Sequence, residues 1–259
     1  MNKQRREKLN QILRQWPANG LRTTASLRAQ GISGALLHHY VRRHWLEQVE
    51  RGVYRRPGDA PPGWQAVLYT VQKEEKLPVH AGGLTALELQ GYGHYIGERP
   101  LFLYGPPRSR LPAWPEGAIS RKLYFTPTNF LQYAPQESLY NMPVAGVPVT
   151  ISTPERAALE MLYHVPQKIG FSEAMEVVGG LAPLRTDLMQ ALLESCSSVK
   201  VKRLFLYCAR EAGHFGYPSF DRNRIDLGTG KRELVKGGKL DKEFLLTVAV
   251  SPYATEIRF

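Results

Sequence analysis

The chain holds 259 residues, 43% of them hydrophobic, and carries a formal charge of +11 at pH 7. This apolar and aromatic content excludes a disordered chain, and no apolar run reaches the ~18 residues of a transmembrane helix, so no membrane partner is expected. The charge is uneven: residues 1–59 hold twelve Lys and Arg against four Asp and Glu, the other 200 residues 22 against 19, an asymmetry that favours a polyanionic partner.

A first helix is expected over 4–15, with Leu9, Ile12, Leu13 and Trp16 at i, i+3, i+4, i+7 spacing and Pro17 and Gly20 ending it. Thr23 or Thr24 caps a short second helix that ends at Gly31. Ser33 caps a third, in the stretch GALLHHYVRRHW over 34–45. At 100° per residue, Leu36, Leu37, Tyr40, Val41 and His44 fall on one side. Ala35, His38, His39 and Arg42 fall on the other, with Arg43 at the edge and no carboxylate between them. Two helices joined tightly at Gly31 and Ile32 have helix-turn-helix spacing. Strand-like pieces at 46–49 and 53–56 flank Glu50, Arg51 and Gly52, which reads as a hairpin wing turning on Gly52.

The Pro/Gly-rich stretch over 58–63 marks the expected boundary between a winged helix-turn-helix domain at 1–58 and a larger mixed α+β domain at 63–259. Beyond it, helices are expected over 64–76, 83–90, 154–163, 187–195 and 199–212, with Thr153 and Pro154 opening the third of these. Strands are expected over 101–104, 119–125, 147–152, 234–235 and 244–250. Because strands and helices do not alternate regularly, the fold class is α+β rather than a doubly wound parallel sheet.

A helix held from behind by its apolar stripe fits the major groove of DNA, about 12 Å wide. On that geometry Ser33, Ala35, His38 and His39 face bases, Arg42 and Arg43 reach a base or phosphate, and Arg51, Arg55 and Arg56 of the wing touch backbone or minor groove. An isolated His-His or Arg-Arg pair is ordinarily a solvated helix face. Here it coincides with helix-turn-helix spacing, a wing and the regional charge, which together point to double-stranded DNA. The alternative is an RNA-binding or protein-interaction module built on the same basic segment.

No catalytic residue, metal site or cofactor is expected. The spacing Asp226…Glu233-Leu-Val-Lys236 resembles a metal-dependent nuclease, the less favoured alternative over 221–242, but separates acid and lysine by one residue too many for one strand face. The Gly/Lys segments at 228–232 and 236–239 read as basic turns and lack the phosphate-loop spacing. His80, His94, His164 and His214 stand apart from one another and from Cys196 and Cys208. The two cysteines read as small core hydrophobes, with a disulfide as the alternative, and that usage together with the charged N-terminus suggests a cytoplasmic protein.

Four segments in this order resemble the AbiEi family: LRTTASLRAQGISGALLHHYVRRHWLEQVERGVYRRPG, HAGGLTALELQGYGHY, VTISTPERAALEML and IDLGTGKRELVKGGKLDKEFLLTV. These are antitoxins of type IV toxin–antitoxin systems that also repress transcription. The resemblance implies that the N-terminal winged helix binds inverted repeats in its own promoter. It implies that the larger domain counters a cognate nucleotidyltransferase-like toxin, and Lys231, Arg232, Lys236 and Lys239 are the antitoxin surface carried over from it.

Overall fold

The computed structural model describes residues 3–17, 19–93, 98–181, 184–214 and 216–249. The N-terminal unit runs α1 (Lys3–Arg14), β1 (Arg22–Thr23), α2 (Thr24–Ala29), α3 (Gly34–Arg42), β2 (Glu47–Glu50) and β3 (Val53–Arg55). Thr23 caps α2 by accepting from Ser26 N–H, and Ser33 caps α3 by accepting from Leu36 N–H. Leu9, Ile12, Trp16, Leu27, Ile32, Leu37, Tyr40, Leu46 and Tyr54 close a small core, and the Trp16 indole donates to the Gly20 carbonyl at 2.9 Å. The three strands pair antiparallel in the order β1-β3-β2, the element order of a winged helix. Gly52 turns the hairpin at φ 80°, a conformation that costs a residue with a Cβ.

The larger unit continues with α4 (Trp64–Lys73), β4 (His80–Ala81), α5 (Gly83–Leu89), β5 (Leu101–Gly105), α6 (Trp114–Ala118), β6 (Leu123–Pro127), β7 (Leu139–Val144) and β8 (Val147–Ser152). Then come α7 (Pro154–Tyr163), α8 (Phe171–Gly180), α9 (Thr186–Ser195), α10 (Val199–Glu211), β9 (Arg232–Glu233), β10 (Lys239–Asp241) and β11 (Leu246–Val248). A five-stranded sheet has the order β6-β5-β4-β8-β7, with β5–β6 and β4–β8 parallel and the other pairs antiparallel. β5 is buried along its whole length, and α7 lies at the centre of the helical layer against α5, α9 and α10. A small sheet, β10-β11-β9, follows α10 in the chain. The class is α+β, a smaller N-terminal domain and a larger C-terminal one.

Several expected elements shift. The expected strand at 119–125 starts only at Leu123, because the chain bends at Ser120 and Arg121 after α6 ends. The expected strand at 234–235 is a bend: β9 ends at Glu233 and the chain tucks Leu234 into the core. β11 covers only Leu246–Val248 of the expected 244–250, and Val250 lies outside the described residues. β1, β4, α6, β7, α8 and β10 were not expected. Cys196 and Cys208 are free and buried, and burial pushes the Cys196 thiol up to about 11 and raises that of Cys208 as well.

Packing joins the segments on either side of the Pro/Gly stretch. Leu21 and Val53 belong to the large core, and Thr70 Oγ1 donates to the Leu21 carbonyl at 3.4 Å. Arg22 pairs with Glu74 at 2.6 Å, and α6 packs on β2. The N-terminal unit therefore has a fixed seat on the larger one.

Candidate nucleic-acid interface

The sidedness of α3 decides what it can present. Leu37 and Tyr40 are buried and Leu36 and Val41 half-buried, whereas Ser33, Ala35, His38, Arg42 and Arg43 are exposed. Two histidines differ from expectation. His39 is half-buried, its ring edge-on to Trp45 at 5.7 Å, so it packs against the hairpin's start as much as it faces outward. His44 is exposed rather than on the apolar side. The helix ends at Arg42 and His44 adopts φ 55°, which turns the chain out of helical register and into β2.

Between α2, α3 and the hairpin lies an open groove of about 360 Å³, lined by Arg28, His38, Gln48 and Arg51 among others, and no carboxylate lines it. Arg51 is exposed at the hairpin tip. Arg55 is half-buried, with its Nε 2.7 Å from Glu47 Oε2 across the β2–β3 ladder, where the register sets the two residues opposite each other. Arg56 makes a two-pronged pair with Asp59 at 3.1 Å on each arm. Their charges are thus partly neutralised within the hairpin, unlike that of Arg51. Sequence reasoning passed over Arg28. It sits exposed on α2, and a Cβ at Gly34 would lie 3.4 Å from its guanidinium. The available signal was its place within the acid-poor N-terminal segment.

In the larger unit, Lys231, Arg232, Lys236 and Lys239 are all exposed around the β9–β10 turn. Beneath them the buried Arg203 of α10 donates to four carbonyls, those of Leu227 (2.8 Å), Gly228 (3.0 Å), Gly230 (2.6 Å) and Leu245 (3.3 Å). Glu233 ends β9 and Lys236 stands in the turn beyond it, so this acid and lysine do not share a strand. Asp226 accepts the Gly228 N–H at 2.8 Å. Among the described residues, no group of three His, Cys, Asp or Glu side chains is placed to hold a metal ion. His80 bonds Glu160, His164 bonds Thr126 and His214 bonds the Leu181 carbonyl, while His94 lies outside the described residues. No described helix is long and apolar enough to cross a membrane.

Residues 5–97 match the family model for the N-terminal domain of the AbiEi antitoxin transcriptional regulator. Residues 98–249 match that for the transcriptional regulator AbiEi antitoxin of type IV toxin–antitoxin systems. The chain belongs to the AbiEi antitoxin family. No curated protein matches this AbiEi chain. Among solved structures it is similar to that of the RV2827C protein from Mycobacterium tuberculosis, with a TM-score of 0.60 and 15% identity over 88% of this chain and 85% of that one, a likeness of fold.

The two AbiEi matches meet inside the five-stranded sheet. β4 comes from the N-terminal match, while β5, β6, β7 and β8 come from the C-terminal one. In this AbiEi antitoxin the N-terminal match thus covers α1 to β3 together with α4, β4 and α5, and β4 is hydrogen-bonded on both sides by strands of the second.

Proposed function

We infer that this AbiEi antitoxin binds double-stranded DNA through α3 and the hairpin, and represses its own operon at promoter inverted repeats. The observation carrying this reading is the acid-free groove between α3 and the β2–β3 tip. In it an exposed helix face and Arg28 and Arg51, which have no carboxylate partner among the described residues, could straddle a phosphate backbone while α3 enters the major groove. Ser33, Ala35, His38 and His39 would lie against base edges, with Arg42 and Arg43 beside them, and the ion-paired Arg55 and Arg56 would contribute less than Arg51.

Anisotropy titration against duplexes of about 30 bp tiled upstream of the gene should find one bound 10³-fold or more tighter than a scrambled control. Arg42→Ala and Arg43→Ala should each weaken that duplex by about 1–3 kcal/mol where the lost contact is bidentate to a base. Equal, steeply salt-dependent binding to every duplex would reduce the interface to a generic basic patch.

The larger domain, on the same reading, neutralises a nucleotidyltransferase-like toxin through the exposed Lys231, Arg232, Lys236 and Lys239. Co-expression with the product of the neighbouring gene checks it. Replacing all four by alanine should abolish rescue of growth while leaving operator binding in place, and undiminished rescue would remove this surface from the antitoxin role.

A further inference from the structure

A second cationic surface lies on the larger domain, built from residues distant in sequence from α3 and from the β9–β10 turn. Every ion pair among the described residues takes its cation from an arginine or a histidine, and none from a lysine. Two exposed lysines, Lys122 ahead of β6 and Lys168 between α7 and α8, bring their Nζ atoms over the same ring, Tyr124, at 4.9 and 4.2 Å from its centroid. A third, Lys200 at the start of α10, stands 5.5 Å over Tyr163 and is fixed by hydrogen bonds to the Tyr163 and Val165 carbonyls at 2.7 and 2.8 Å. Among the described residues none of these three ammonium groups has a carboxylate partner; Lys122 and Lys168 are exposed and Lys200 half-buried, near β6, an edge strand of the five-stranded sheet. Their field is felt nearby: burial, and then the charges of Lys168 and Lys200, hold the His164 imidazole down to about 4.

The surface also has an aromatic continuation. Tyr163 stacks on Phe130 at 4.6 Å and 16°. Three residues beyond Phe130, in the loop that follows β6, Tyr133 stands 80% exposed, the most open large hydrophobic side chain among the described residues. Uncompensated cations near β6 and an exposed ring in the loop that follows this strand suit single-stranded nucleic acid, whose phosphates meet the ammonium groups and whose unpaired bases stack on the aromatic face. A duplex keeps its bases stacked inside and would leave Tyr133 without a role.

We propose that this β6 surface binds single-stranded nucleic acid, its phosphates on Lys122, Lys168 and Lys200 and a base on Tyr133. The interaction is independent of duplex binding at α3, and the two fail separately.

The test titrates the full chain with labelled oligo(U) and oligo(dT) of about 20 nucleotides at several salt concentrations. Both should bind, and the tighter of the two identifies RNA or DNA as the source of the strand. The double variant Lys122→Ala/Lys168→Ala should flatten the log–log salt dependence by about 1.4, the value for two lost phosphate contacts on a single strand. Tyr133→Ala should weaken binding by about fivefold or more, with Tyr133→Phe close to the parent. All three side chains are exposed, so these variants keep the fold, which circular dichroism verifies. Arg42→Ala/Arg43→Ala should leave single-strand binding unchanged. Failure of both oligomers to bind at low salt overturns the proposal. So does binding that the Arg42/Arg43 variant abolishes and the Lys122/Lys168 and Tyr133 variants leave alone.

Discussion

Glu160→Ala lowers the unfolding free energy by about 3–5 kcal/mol, measured as a shift in the urea midpoint at unchanged slope. Glu160 is fully buried in α7, and its carboxylate accepts from four groups on four elements. Oε1 receives His80 Nε2 of β4 and Arg156 Nε of α7, each at 2.8 Å; Oε2 receives Ser152 Oγ of β8 at 2.7 Å and the Gly83 N–H at the start of α5 at 3.1 Å. One side chain thus ties the centre of the sheet to the helical layer, and its loss takes the carboxylate partner from the buried His80 imidazole and from the half-buried Arg156 guanidinium. The space is equally constrained, since a Cβ on Gly82 would overlap Glu160 Oε2 and the Tyr104 ring.

The same group gives a pH signature. Burial by itself would raise the Glu160 pKa, but His80 and then Arg156 outweigh it and bring it from 4.5 down to about 2. The folded value lies below the unfolded one. Its contribution, on the order of 3 kcal/mol, is therefore complete above pH 4.5 and is lost as the pH falls through about 2. Glu160→Gln, which cannot titrate, should flatten the fall of stability over that window. A Glu160→Ala midpoint equal to the parent's, or an unchanged acid slope in Glu160→Gln, would show that the carboxylate does not hold this junction.

Arg203→Met should loosen the segment from Leu227 to Val248 and cost about 3–5 kcal/mol. Four carbonyls lose a charged donor, and three of them belong to the chain leading into β9. Methionine fills the volume but donates nothing, and lysine cannot reproduce the planar fork, so Arg203→Lys should recover little. Hydrogen exchange reads the effect locally: amides of β10 and β11 should lose protection while those of β5 keep theirs. Unchanged protection in β11 would assign the order of this sheet to Leu234, Phe244 and Leu246 in the core instead. Because Lys231, Arg232, Lys236 and Lys239, the proposed antitoxin surface, lie on or beside this sheet, the variant should also weaken rescue in the co-expression assay without touching those side chains.

Much of the fold was legible in local pattern. Thr153 and Pro154 open α7, and the structure has the helix over Pro154–Tyr163 as expected, although the Thr153 side chain makes no cap bond. β8 has the expected bounds, Ser33 caps α3, and Gly52 turns the hairpin. Each depends on residues within a few positions of one another. Three of the misses have the opposite property. β1, β4 and β9 are two residues long, too short for a period-2 pattern, and exist because a neighbouring strand pairs with them. At the candidate interface, the composition and one face of α3 were readable. The pairing of Arg55 with Glu47 depended on hairpin register, and the groove beside Arg28 depended on how α2, α3 and the hairpin pack.

The sequence by itself determined the positive N-terminal segment, the caps and glycines that punctuate it, the apolar stripes of its helices, and family membership through four ordered segments. These are properties of composition and near-neighbour spacing, which folding does not alter. Only the tertiary structure decided which charges are free and which are spent. Glu160 and Arg203 look like ordinary polar residues of amphipathic helices until His80, eighty positions away, and the carbonyls of 227–245 close around them. Lys122, Lys168 and Lys200 become one surface only when β6, the end of α7 and the start of α10 meet. Burial and pairing are set by contacts between distant segments, and electrostatic effects follow burial.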